Sequence, residues 1–249
     1  MSEALRLFGL KAVVTDASSG IGEAIVRTFV KHGASVLAVD RPGSAIETHF
    51  RRVEGVTGMT FDFSESAAAP FVAQVKSTLG GLDIFVINFD WHRDAPIGDG
   101  DREAIEEVQR RMTDRVTEIC NASLSAMEKS PAGRIIAVGC LRSVFGIDGA
   151  AAYRDTAAAL ERLMARIAAQ SAEMGITANA VQPGAVMTPV SRKVYAAHRD
   201  LRDHCIARSA AKRLGEPVDI AKVALFLATD DSVFVSGTAI VADGGASSS

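Results

Sequence analysis

The sequence predicts one α/β domain built on a doubly wound parallel sheet, and three observations carry that prediction. Short, β-rich apolar runs alternate with segments of helical periodicity along the whole chain. The first run, Leu10 to Val14, leads through a turn containing Gly20 and Gly22 into an amphipathic segment, as where a parallel sheet builds an anion-binding turn at a helix start. At 249 residues and 48% hydrophobic content, the chain can bury one large core without a second domain, so residues 1–249 are read as a single unit.

Composition excludes several classes of function. A net charge of −3 with scattered basic residues gives no footprint for nucleic acid. Cys120, Cys140 and Cys205 have no metal-ligand spacing, and their odd number argues against a disulfide framework, so a reducing cytoplasm is expected. His198 and His204 do not share a helix face, which argues against a metal site. No apolar window reaches membrane-spanning length, and a soluble, cytoplasmic protein without a membrane partner is expected.

Each element has its own warrant. Ile21, Ile25, Val26, Phe29 and Val30 form the inward stripe of the first helix, and Gly33 suits a left-handed C-terminal position. The second strand, Ser35 to Val39, ends at Asp40, where dinucleotide folds place an acid on the adenosine ribose. Asp40 favours NAD; Arg41 beside it could instead hold a 2′-phosphate, and both residues also read as ordinary strand-end charges. Val56 to Phe61 is the third strand, followed by a helix over 65–79 that stops at Gly80-Gly81. Leu82 to Asn88 is a continuous apolar run, as expected of a central strand buried on both faces. The fourth helix, over 101–129, carries a stripe through Ile105, Val108, Met112, Val116, Ile119 and Met127. Arg134 to Gly139 is the fifth strand, and a helix beginning near Ala151 presents Leu160, Leu163, Met164 and Ile167 on one face. Ile176 to Val181 is the sixth strand, residues 191–211 form a charged variable region, and Thr238 to Ala242 is the seventh strand.

Motif order and spacing resemble the short-chain dehydrogenase/reductase family over residues 5 to 245. The likeness rests on Thr15 to Gly22, Gly133-Arg134-Ile135-Ile136, Cys140 followed by Tyr153, Pro183-Gly184 followed by Thr188, Arg213-Leu214-Gly215-Glu216-Pro217, and Asp243-Gly244-Gly245. It implies a Rossmann-like fold of about seven strands, and a cofactor site at Gly20, Gly22, Asp40, Asp62, Asn88 and Thr188. In the family Asp62 contacts adenine and Thr188 the nicotinamide carboxamide.

The departures fall on positions that do chemistry. Asp16 replaces the first glycine of the turn, where glycine permits close phosphate approach and dihedrals that a side chain disfavours. A carboxylate about 4 Å from a phosphate repels it by roughly 4 kcal/mol at an effective dielectric near 20, about three decades of affinity. The alternative is that the loop relaxes and Asp16 turns to solvent or caps the helix. The family's Asn-Asn-Ala-Gly after the fourth strand is here Ile87-Asn88-Phe89-Asp90, so Phe89 and Asp90 would also block the cofactor unless that loop is rearranged. Met112 replaces the active-site asparagine; Asn121, nine residues on, faces the other side of the helix. Cys140 replaces the catalytic serine, and Ala157 the lysine that lowers the pKa of the catalytic tyrosine, leaving Tyr153 as working acid or as packing. Without that lysine only about a tenth of a percent of a phenol with a pKa near 10 is ionised at neutral pH.

The expectation is therefore a degenerate subunit with no cofactor of its own. It would support an active, NAD-bearing paralogue in a hetero-oligomer, and resembles the inactive chain of the two-chain hydroxyacyl-CoA dehydrogenase of benzylsuccinyl-CoA breakdown. A homotetramer is also compatible with the family's interfaces. The alternatives are an active oxidoreductase using Tyr153 and weakly held NAD(H), and a cofactor-free lyase on the same fold.

Overall fold

Seven strands lie in one sheet in the order β3-β2-β1-β4-β5-β6-β7, every neighbouring pair parallel. They are β1 (Lys11–Thr15), β2 (Ser35–Asp40), β3 (Val56–Thr60), β4 (Ile84–Asn88), β5 (Arg134–Val138), β6 (Thr177–Pro183) and β7 (Ala239–Ala242). The helices are α1 (Gly20–Lys31), α2 (Ile46–His49), α3 (Ala68–Leu79), α4 (Arg102–Met127), α5 (Ala150–Ser171), α6 (Pro189–Ala197), α7 (Arg199–Arg208) and α8 (Pro217–Ala228). The computed structural model describes residues 5–63, 66–88, 102–139 and 150–248, and only the backbone at 102, 105, 108, 109 and 150–154.

Alternation along each strand divides the core into two layers. Val13, Leu37, Val39, Phe85, Ile87, Ile135 and Ala137 pack with α3, α4 and α5 on one face. Ala12, Val14, Val36, Ala38, Ile84, Val86, Ile136 and Val138 pack with α1 and α8 on the other. This is the doubly wound arrangement, and it explains why β4, covered on both sides, reads as an unbroken apolar run.

Boundaries differ from the sequence reading by one to three residues at several ends. The short α2 had no periodic signal of its own. It is held because Gly58 of β3 lets it approach closely: a Cβ at Gly58 would lie 2.3 Å from the Ile46 carbonyl oxygen. The region over 191–211 resolves into α6 and α7. Among the described residues no helix is long and apolar enough to cross a membrane.

Candidate functional site

The sheet order reverses at β1, which has β2 on one side and β4 on the other. Open parallel sheets bind ligands in the crevice that such a reversal leaves at the carboxyl ends of the strands. Hydrogen bonds fix its walls. The Asn88 backbone N–H donates to Thr15 Oγ1 (2.9 Å) and Thr15 Oγ1 donates to the Asn88 carbonyl (3.3 Å), so the ends of β1 and β4 are joined there. Asn88 Nδ2 reaches the Asp16 carbonyl at 3.5 Å.

The turn after β1 contains two residues of positive φ, Asp16 and Gly20. Asp16 has φ 49, in the left-handed region. An aspartate thus occupies the conformation that a side chain disfavours, and it is among the residues for which that costs least. A Cβ at Gly22 would lie 2.2 Å from the Asp16 carbonyl oxygen, so the first turn of α1 is pressed against the loop. The negative charge that Asp16 brings is untouched by this conformation.

Asp40 is 4% exposed, and its carboxylate accepts from the Ser18 N–H (2.9 Å) and the Arg41 N–H (2.7 Å). It thus clamps the β1 turn to the end of β2, a structural task that the sequence reading did not foresee. A carboxylate has about four acceptor positions, so two backbone bonds leave room for ribose hydroxyls. Asp62 follows β3 and is half-buried, its carbonyl accepting from Ser66 N–H at 3.1 Å.

Gly20, with φ +60, faces Thr188: a Cβ on Gly20 would lie 3.4 Å from the threonine's Cβ and Cγ2. Thr188 is the N-cap of α6. Its Oγ1 accepts from the Ser191 N–H (3.1 Å), while Ser191 Oγ accepts from the Thr188 N–H (2.7 Å) and donates to the Val186 carbonyl (2.6 Å). The signal for this cap was present as Thr-Pro at a helix start.

The positions at which chemistry would occur give a different picture. Met112 is fully buried in the α3–α5 layer, whereas Asn121 is exposed on the opposite side of α4. Ala157 is 5% exposed, and its carbonyl accepts from the buried Gln182 side-chain amide at 3.1 Å. Gln182 was missed as a site neighbour because its spacing belongs to a strand end. Phe89, Asp90 and Cys140 lie outside the described residues, as does the side chain of Tyr153, whose backbone is in α5. Burial pushes both other thiols up, Cys120 and, in spite of a contact with Tyr195 that acts the other way, Cys205. No group of three metal-ligating side chains occurs among the described residues.

A parallel sheet of this order, with a glycine turn opening α1 at the reversal and an acid at the end of β2, defines a protein of the dinucleotide-fold class. The chain belongs to the short-chain dehydrogenase/reductase family. Residues 16–247 match the family model described as enoyl-(acyl carrier protein) reductase. The chain is 31% identical over 255 aligned positions to oxidoreductase UcpA of Salmonella typhimurium, covering 96% of this chain and 95% of that one. It is 29% identical to 3-oxoacyl-[acyl-carrier-protein] reductase FabG of Thermotoga maritima (97% and 99% covered). It is 31% identical to 2-(R)-hydroxypropyl-CoM dehydrogenase of Xanthobacter autotrophicus (94% and 96%). A solved structure assigned as an NAD(P)-dependent gluconate 5-dehydrogenase from Beutenbergia cavernae, with bound NADP, superposes with a TM-score of 0.82 at 28% identity, covering 99% and 100% of the two chains.

Proposed function

We propose that this chain is a non-catalytic short-chain dehydrogenase/reductase subunit that supports an active paralogue in a hetero-oligomeric NAD-dependent dehydrogenase acting on hydroxyacyl-CoA or another secondary alcohol. The observation that carries the reading is residue 157: a buried alanine, its carbonyl tied to Gln182, stands where the family's lysine belongs. Proton exchange with a substrate oxygen needs a tyrosine whose pKa an adjacent ammonium has lowered, and an alanine supplies none. Met112, built into the core, supports the same conclusion at the asparagine position.

The dinucleotide fits this crevice only in part. Asp40, with acceptor positions to spare, suits the adenosine ribose, while Asp16 brings a carboxylate to the turn that Gly20 and Gly22 open for phosphate. The subunit role is supported by apolar surface in the segment 217–245: Phe234 is 101% exposed, and Val218, Val233 and Val241 are also exposed. A second reading, a directly active oxidoreductase with Tyr153 as acid/base, is favoured by the left-handed backbone that Asp16 keeps in the turn and by the NADP held in the related structure.

Co-expression with an active dehydrogenase of the same family encoded beside this chain tests the proposal, by size exclusion and activity assay. Co-elution, together with loss of activity or stability of the partner when this chain is omitted, is the expected result. A partner fully active and stable alone that never co-elutes overturns the subunit role. Calorimetric titration of the isolated chain with NAD(H) tests the site itself, and a dissociation constant in the low micromolar range would overturn its degeneracy.

A further inference from the structure

We propose that the elbow between α6 and α7 is a docking surface for an acidic amphipathic helix of another protein. It uses none of the cofactor or catalytic positions described above, so it holds whether or not the chain turns over a substrate. Charge is unevenly distributed along this chain. Seven Lys or Arg and two Asp lie between Pro189 and Arg213, an excess of five positive charges in a chain whose net charge is −3. Part of that excess is used internally: Arg202 pairs with Asp203 at 2.8 Å, Arg213 pairs with Asp219 at 2.6 Å, and Lys212 Nζ donates to the Ala207 carbonyl at 2.8 Å. Arg192, Lys193 and Arg199 are exposed and form no ion pair among the described residues.

Exposed charge alone is a solvated face, but here it borders apolar surface. No residue of α6 is buried, and Val190 and Val194, one turn apart, are 63% and 41% exposed. Helical spacing sets these valines and Ala197 in one outward stripe with Lys193 beside it, while Tyr195 packs inward on Cys205, Leu214 and Ala246. Where α6 gives way to α7, the two helices border an open groove of about 700 Å³ lined by Val194, Ala197 and Leu201 and by His198, Arg199 and Asp200. The ends of this cover are tied down, since Val186 bridges Gly215 and the Ala211 N–H donates to the Gly244 carbonyl at 2.9 Å. The groove is therefore preformed, which lowers the ordering cost of docking.

Charge complementarity and size choose the occupant. The nine residues of α6 span about 13 Å at 1.5 Å each, which matches two to three turns of a partner helix. Apolar side chains at helical spacing on that partner would meet the valine stripe and the groove, and carboxylates beside them would meet Lys193 and Arg199. An anionic bilayer fits less well, because the stripe has no Trp, Phe or Leu to enter the headgroup boundary. A second copy brings the same positive excess, and a two-fold contact would set like charges against each other.

The test is fluorescence anisotropy of the full chain with a fluorescein-labelled peptide of about 14 residues, carrying Leu at i, i+3, i+4 and i+7 and Glu and Ala elsewhere. A peptide of the same composition with scattered leucines, and vesicles of phosphatidylserine and phosphatidylcholine, are the comparisons. The amphipathic peptide is expected to bind with a dissociation constant of about 10–100 μM, and about tenfold more weakly when sodium chloride rises from about 50 to about 300 mM. Lys193→Glu with Arg199→Glu should weaken it at least about tenfold, as should Val190→Ser with Val194→Ser. The melting temperature should not change, because all four side chains are exposed. Arg51→Glu with Arg52→Glu, an exposed basic pair after α2, should leave binding as it is. No binding of the peptide, equal binding of the scattered peptide, or indifference to Lys193→Glu with Arg199→Glu overturns the proposal. Tighter binding to the vesicles, or a dimer of the native chain that this charge reversal dissociates, also overturns it by giving the surface another occupant. None of these readouts depends on cofactor binding or turnover, so failure here leaves the non-catalytic reading standing.

Discussion

Replacing Met112 by asparagine would restore the family's residue and, on the structure, damage the protein. Met112 is 0% exposed, in the layer that also contains Phe85, Val116, Ile119, Ile135, Leu160 and Met164. Removing its buried side chain forfeits about 1.5–3 kcal/mol of transfer free energy. An amide placed there without partners costs about 1–3 kcal/mol more. The sum centres on about 4 kcal/mol, and a chain of this size loses about 2–4 °C of melting temperature per kcal/mol, which gives a fall of about 8–16 °C. Thermal unfolding followed by circular dichroism, with Met112→Leu as a volume-conserving control expected to cost under about 1.5 kcal/mol, measures it. An asparagine variant that melts with the native protein would refute the reasoning, since residue 112 would then have to face the crevice and not the core.

The double variant Ala157→Lys, Cys140→Ser is expected to give no NAD-dependent alcohol oxidation in a coupled absorbance assay, because Asp16 and Met112 still alter the site; appreciable turnover would show that the pocket was sound. Gly22→Ala should cost about 3 kcal/mol by urea titration, since the added Cβ meets the Asp16 backbone rather than a movable side chain; a neutral result would mean that the loop and α1 separate easily. Asp219 is held below the usual carboxylate range by hydrogen bonds from the Arg213 guanidinium and the Glu216 N–H. Its folded value being depressed, its stabilisation is complete above the unfolded value near 4 and is lost as pH falls through the folded one. Asp219→Asn should therefore lower the melting temperature more at pH 7 than in acid below the folded value, and an equal loss at both would refute the ion-pair account.

The sheet was legible because its signals are local and repeated. Val13, Val36, Phe85 and Ile136 lie in runs whose apolar character survives any choice of neighbour, and Gly80, with φ 71, ends α3 where the sequence placed a stop. The site was less legible because its residues act through partners distant in sequence. Nothing local to Asp40 says that it accepts from Ser18, or that Thr188 presses on Gly20 while capping α6. Asp16 illustrates both limits: its charge could be weighed from its position, but its backbone depended on Gly22 and Asn88 holding the turn. Gln182 escaped notice because a strand-end amide has no periodic signature, and its partner is the carbonyl of a residue 25 positions away.

The Thr15–Asn88 pairing also bears on the order in which the molecule forms. β1 meets β2 across a short connection, as Lys11 beside Ser35 shows, but meets β4 only when residues 73 apart in sequence come together. Closing the roughly threefold longer loop costs only about 1 kcal/mol more at equilibrium. Its effect is on rate, since non-local pairings form late in folding. An early β1–β2–β3 assembly would have an open strand edge on β1 and no crevice, because the second wall arrives with β4. A slow-folding variant should therefore aggregate through β1 before it can recognise any ligand, and a ligand added during refolding would act only after β4 has docked.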